Sequence, residues 1–185
     1  MPNYYIPKHK FKIVYKKHID PYLHYYSDKE FNALVAIIWL SGLRICDTLK
    51  LDKDSIFING KDKSLLITVK ASKGGTLANP SFGFNDPYVV SVIMPYIQDV
   101  VYKLFSRSKR RYQQMLLKAN KGIHGTDTTK YITFHYLRHS RITYLARVLK
   151  AFPEEIKAWT GHRTTQFEEY IAPRRVERFK GRFNE

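Results

Sequence analysis

Residues 27–51 read SDKEFNALVAIIWLSGLRICDTLKL, and the way this stretch divides decides the fold. Ser27-Asp28-Lys29-Glu30 is a capping-box sequence: the first side chain can accept a hydrogen bond from an orphan N–H, and an acidic residue three positions on can reach back. Phe31, Leu34, Val35 and Ile38 follow at the spacing of one helical face. Ser41-Gly42 interrupts that pattern before Leu43 to Leu51 resumes it, so Arg44 is expected just after a helix–helix turn.

Working outward, Ser55 to Ile58 and Leu65 to Val69 are β-rich runs, and Asn59-Gly60-Lys61-Asp62-Lys63 between them reads as a hairpin loop. Ser72-Lys73-Gly74-Gly75 predicts a second turn, with a third strand near Thr76 to Ala78. Asp86-Pro87 can open an apolar helix through Val89, Val90, Ile93, Ile97, Val101 and Leu104, kinked at Pro95. Arg107 to Arg111 is a basic cluster leading into a short helical pattern that ends at Lys118, and Asn120 to Thr129 reads as a polar loop. Thr133 can cap a helix running through His135 to about Lys150. Pro153 opens another that Gly161 closes, and Thr164 or Thr165 can cap a last short helix carrying Tyr170. Upstream, residues 1–26 are rich in Tyr, Lys and His without periodicity. They form a basic, aromatic lead-in that suits a DNA backbone, or a strand or loop packed on the core.

The chain has 185 residues, enough for one buried core, and no internal repeat or low-complexity segment divides it. Thirty-two Lys and Arg against 16 Asp and Glu give a formal charge of +16 that no single run accounts for. Such a surface favours polyanions, because each phosphate neutralised releases condensed counterions. A membrane binder would concentrate its charge beside an amphipathic or acylated segment; the alternative is a basic protein whose charge only keeps it soluble. Cys46 is the single cysteine, which rules out an internal disulfide, and no Cys/His set has structural-zinc spacing. The strongest apolar stretch, Ala33 to Leu40, is too short to span a bilayer. These features predict a soluble intracellular protein, associated with nucleoid or host DNA.

Phe134-His135-Tyr136-Leu137-Arg138-His139 sets His135 and Arg138 three residues apart on one helical face, where both can reach one phosphate. An arginine's planar fork matches the non-bridging oxygens of a phosphate, and Arg44 offers another, although it can equally pair with Asp47. Gly161-His162 follows at a helix end, and Tyr170 comes eight residues later among 14 tyrosines. Singly these are weak signals.

Taken in order, Gly42-Leu43-Arg44-Ile45-Cys46-Asp47, a lysine in a β-turn, H-x-x-R, Gly-His and a tyrosine resemble the tyrosine recombinases, the family of phage integrases and of the Xer enzymes. The resemblance runs from about Ser27 to Ala172. It implies an α+β catalytic domain over residues 27–172, mostly helical with a small antiparallel sheet, preceded by the lead-in 1–26 and followed by a basic tail 173–185. It implies a catalytic set of Arg44, Lys73, His135, Arg138, His162 and Tyr170. Lys73 best fits the family's turn position, with Lys70 next and Lys63 also near the hairpins. Lys70, Arg107, Lys109, Arg110, Arg111, His139, Arg141 and Arg163 are the basic residues expected to contact DNA.

The chemistry so implied is site-specific cleavage and rejoining of double-stranded DNA through a 3′-phosphotyrosyl link, with no metal, nucleotide or other cofactor. A tyrosine hydroxyl titrates near 10, so attack at neutral pH calls for a cationic pocket or a base. His135 is the expected proton acceptor, Lys73 the acid toward the leaving 5′ oxygen, and His162 a hydrogen-bond partner of a non-bridging oxygen. Val176, Phe179 and Phe183 in the tail stand at helical spacing, and the resemblance implies docking on a neighbouring subunit within a tetramer on DNA. Two features depart from the pattern: the family usually has about nine residues from the Gly-His histidine to the tyrosine, and a core-binding domain usually precedes the catalytic one. The second implies a fragment or a short recombinase. A type IB topoisomerase shares the chemistry, and a non-catalytic DNA-binding module could share the fold.

Overall fold

A computed structural model describes residues 13–72 and 76–162. The helix expected after Ser27 is α2, Lys29–Ser41. Asp28, not Ser27, caps it, accepting the amide of Phe31 at 2.9 Å. Glu30 does not reach back to complete a capping box. Its carboxylate instead accepts from the Ser106 amide at 2.7 Å and from the Tyr112 hydroxyl, tying α2 to a distant segment. Nine of the thirteen α2 residues are buried, so this helix forms the centre of the core. Gly42 ends it in the left-handed region at φ 68°, as a C-cap glycine does.

The lead-in contains helix α1, Lys16–Leu23, which buries Ile19, Tyr22 and Leu23 against α2 and α5. Its lack of apolar periodicity hid it: Tyr22 supplies the contact with a hydroxyl that donates to Asn120 Oδ1 at 2.6 Å. Arg44 caps the short helix α3, Ile45–Thr48. Strands β1, Ile56–Asn59, and β2, Ser64–Ile67, pair antiparallel as the hairpin signal predicts, with Ile56 opposite Ile67. Two short strands follow, β3 (Val69–Lys70) and β4 (Leu77–Ala78), joined in a second antiparallel pair. A strand not foreseen, β5 (Ser81–Gly83), returns to β2 and completes a three-stranded sheet in the order β1-β2-β5.

The helix expected through Leu104 is shorter. A π turn over Val89–Ile93 leads into α4, Met94–Asp99, and the chain then leaves the helix. Pro95 has no N–H to continue the regular ladder, and the wider turn just before it absorbs the mismatch. The Lys53 ammonium donates to the carbonyls of Ile97 (2.5 Å) and Val100 (3.1 Å), which ends the helix there. Val101 is consequently 92% exposed, while Leu104 is buried through a backbone pairing with Leu51. Helix α5, Lys109–His124, runs past the expected stop at Lys118 because Asn120 is a buried tertiary link, bonding both the N–H and the C=O of Ile132. Helix α6, Phe134–Arg147, is capped by Thr133, and α7, Pro153–Thr160, ends at Gly161. Among the described residues no helix is long and apolar enough to cross a membrane.

Candidate active site

Three helix ends converge: Gly42 closing α2, the first turns of α6, and Gly161-His162 closing α7. Arg138 holds them together. It is 4% exposed, and its Nη1 donates to the carbonyls of Gly42 (2.5 Å) and Thr160 (3.1 Å). These carbonyls lie at helix C-termini, where unsatisfied oxygens concentrate negative partial charge, so a guanidinium is the natural partner. Its Nη2 faces the ring nitrogens of His162 at 2.9 Å. The Thr160 hydroxyl donates to Ile156 C=O at 2.6 Å, so at 2.7 Å it can only accept from His162 Nδ1–H. His162 Nε2 is then the atom that receives the Arg138 hydrogen.

Two glycines permit this closeness. A side chain at Gly42 would meet Arg141 Cβ at 3.2 Å, and one at Gly161 would meet the Cβ atoms of Ala71 and Ala78 at 3.0 and 3.1 Å. The end of α7 therefore rests directly on the β3–β4 pair, and the amide of Asn79 donates to Ala158 C=O at 2.8 Å.

Arg44 belongs to the same constellation. Burial, with the Arg44 charge beside it, brings the Arg138 guanidinium down to about 9, against a smaller opposing pull from Asp47. Burial first, then Arg138 and Arg44, holds His135 below its ordinary range and His162 down to about 3. Arg138, His135 and His162 thus all feel the Arg44 charge. Arg44 Nη1 and Asp47 Oδ2 are 3.9 Å apart, beyond hydrogen-bond length, and both atoms are buried without a hydrogen-bond partner. The ion pair that the sequence allows is therefore present but long, and Asp47 makes its hydrogen bonds elsewhere. Its Oδ1 accepts the Ser72 amide at 2.8 Å and the Ser72 hydroxyl at 2.5 Å, pinning the residue just before Lys73 to the helix that Arg44 caps.

Of the residues expected from the sequence, Arg44, His135, Arg138 and His162 come together, and His139 joins them. Lys73, Tyr170 and Arg163 lie outside the described residues. Lys70 is exposed on β3 and lines a cleft of about 450 Å³ with Lys50, Ser55, Thr68 and Ser72. Arg141 is half-buried, its guanidinium stacked over the rings of Tyr144 and Trp159. Arg107 pairs with Asp28 at 2.9 Å and faces Glu30 at 3.8 Å, at the far end of α2 from Gly42. That helix is about 20 Å long at its ordinary rise, so the exposed Lys109, Arg110 and Arg111 begin a separate basic face. Residues the sequence did not single out are Ser72, Thr160 and Lys50. Thr160 stood in view beside Gly161-His162, but its role depends on how the end of α7 seats. Among the described residues no group of three or more His, Cys, Asp or Glu is arranged to hold a metal ion.

Several solved structures share this arrangement of elements. The XerH site-specific recombinase bound to its difH substrate superposes with a TM-score of 0.65 at 14% identity, over 86% of this chain and 50% of that one. The XerA recombinase gives 0.62 at 19% identity, over 89% and 60%. The Tn1549 transposon integrase in complex with a circular intermediate DNA gives 0.61 at 15% identity, over 91% and 66%. The chain thus spans from half to about two thirds of the length of the structures it matches. No family model matches it, and no curated protein does. In its described residues the chain has the mixed α+β fold of a tyrosine recombinase catalytic domain.

Proposed function

We propose that the chain is the catalytic part of a site-specific tyrosine recombinase, which cuts and rejoins double-stranded DNA through a covalent link to Tyr170. The observation that carries this reading is the convergence of Arg44, His135, Arg138 and His162, from α3, α6 and the end of α7, on one cationic spot flanked by the pinned Ser72. Such a spot suits a phosphodiester: two planar guanidinium forks meet the non-bridging oxygens, and the protein's own charges stabilise the pentacovalent transition state.

In this reading the scissile phosphate takes Arg44 Nη1 and an Arg138 N–H as donors. His162, whose Nδ1–H is held by Thr160, turns to donate to a phosphate oxygen as charge develops. The Tyr170 hydroxyl attacks phosphorus, His135 receives its proton, and Lys73 protonates the leaving 5′ oxygen. The phosphotyrosyl bond preserves the energy of the broken linkage, so the 5′ hydroxyl can reseal it without ATP or metal. Exposed Lys50 and Lys70 and the basic face of α5 extend the DNA contact. Strand exchange takes a homotetramer on two sites, with residues 173–185 docking on a neighbour. The test is incubation with nicked duplexes in EDTA without ATP, followed by detergent denaturation. A DNA-linked protein band supports the reading, and its absence across a pool of sequences while duplex binding persists favours a non-catalytic module.

A further inference from the structure

His135 and His139 stand one turn apart on α6. Their rings meet edge to face, with centroids 4.1 Å apart at an interplanar angle of 84°, and the two Nε2 atoms share a hydrogen bond. One ring must carry the hydrogen and the other the lone pair. Among the described residues, the groups that act on the pair's charge are Arg44 from α3, Arg138 from α6 itself and His162 from the end of α7, with Asp47 behind Arg44. Burial, then the neighbouring His135 and Arg138, holds His139 down to about 4. Both rings are therefore neutral at pH 7, and the pair has just two tautomeric arrangements.

Only one of them leaves a working base. If His139 donates, the His135 Nε2 lone pair is occupied and its Nδ1 carries hydrogen, so His135 can accept nothing. We propose that His139 is a positioning residue for His135, accepting the His135 Nε2–H on its own Nε2 and leaving His135 Nδ1 with the lone pair that takes the nucleophile's proton. This inference rests on the recombinase reading above. In the step, the tyrosyl O–H bond breaks, the O–P bond forms, and the proton moves to His135 Nδ1. The resulting imidazolium keeps its Nε2–H directed at His139, much as the acceptor in a catalytic triad steadies its histidine. His139 thus stands behind His135 and acts through it, whereas the sequence alone assigns it to DNA contact.

The test uses the chain labelled with ¹⁵N-histidine, where long-range ¹H–¹⁵N spectra read the tautomer of each ring and His135→Asn assigns the His135 signals. The expected result is His135 in the Nε2–H form in the unaltered chain and in His139→Gln, whose amide oxygen can also accept, and a mixture of tautomers in His139→Phe. Adduct formation should fall about 10- to 100-fold in His139→Phe, by analogy with the partners that orient other functional histidines, and recover to within a few fold in His139→Gln, at equal DNA affinity. His135 in the Nδ1–H form, or unchanged when His139 is Phe, would overturn the proposal. If His139→Phe does not fold, the same comparison is made with His139→Gln and His139→Leu. An unaltered chain that forms no adduct would refute the recombinase reading, and the spectra would still decide the pairing.

Discussion

The guanidinium of Arg138 donates to the carbonyl of Gly42, 96 positions earlier in the chain, and through that bond the end of α2 and the first turns of α6 share one position. The same side chain reaches Thr160 and His162, so Arg138 pins the site together, and in the proposed function it is also a phosphate donor. Arg138→Lys keeps the charge but loses the fork. At least one buried carbonyl is left without a donor, at a cost of about 1–3 kcal/mol. A lower melting temperature by several degrees is expected, together with a loss of about 10²-fold or more in adduct formation. Unchanged melting would show that the three bonds do not hold the helix ends.

Gly161→Ala tests how α7 seats on β3 and β4. At φ 66° an L side chain costs about 1–2 kcal/mol, and the added Cβ meets Ala71 and Ala78. The variant should unfold at lower urea and lose activity beyond its loss of stability, because His162 follows directly. A fold-neutral, active variant would contradict this account of the helix end.

The basic residues near the start of α5 should separate into two kinds. Arg107 is engaged with Asp28 and Glu30, and its partners hold it above its ordinary range, mainly through the hydrogen bond to Asp28. Arg107→Ala should lower stability by about 1 kcal/mol and leave the salt dependence of DNA binding unchanged. Arg110→Gln and Arg111→Gln should leave stability unchanged and reduce the slope of log K against log salt by about 0.9 for each phosphate no longer neutralised. Titrations at several salt concentrations, beside urea melts, check both halves.

Much of this was legible in the sequence. The helix ends declared themselves chemically, with Thr133 and Pro153 opening helices and Gly42 and Gly161 closing them, and the spacing of His135 and Arg138 fixed their shared face; at α2 the helix start was legible, but its cap is Asp28 rather than Ser27. What could not be read depended on tertiary partners. Glu30 fits a capping box by spacing but serves Ser106 and Tyr112, and Asn120 looks like a loop residue until Ile132 satisfies both ends of its amide. The charge of Arg107 suggested a DNA contact, whereas its pairing with α2 gives it a structural role. Strand β5 is too short and too rich in small residues to show a period.

Acid should destabilise the fold before ordinary carboxylates titrate. His162 and His139 are held to about 3 and about 4 in the folded chain, against 6.5 for an unperturbed ring. As pH falls the unfolded chain binds protons first, so the stability conferred by the neutral rings is complete above about 6.5 and is lost progressively toward pH 4. Urea midpoints at pH 7.5, 6 and 5 should fall in that order, and His139→Gln should flatten the decline. Equal midpoints across this range would show that the rings are not held neutral.

The most direct measurement is to identify the residue that becomes attached to DNA. After reaction with nicked duplex and denaturation, proteolysis and mass spectrometry of the DNA-linked peptide should find the modification on Tyr170, and Tyr170→Phe should abolish it with duplex affinity intact. Attachment at any other tyrosine, or an adduct that survives Tyr170→Phe, would contradict the account.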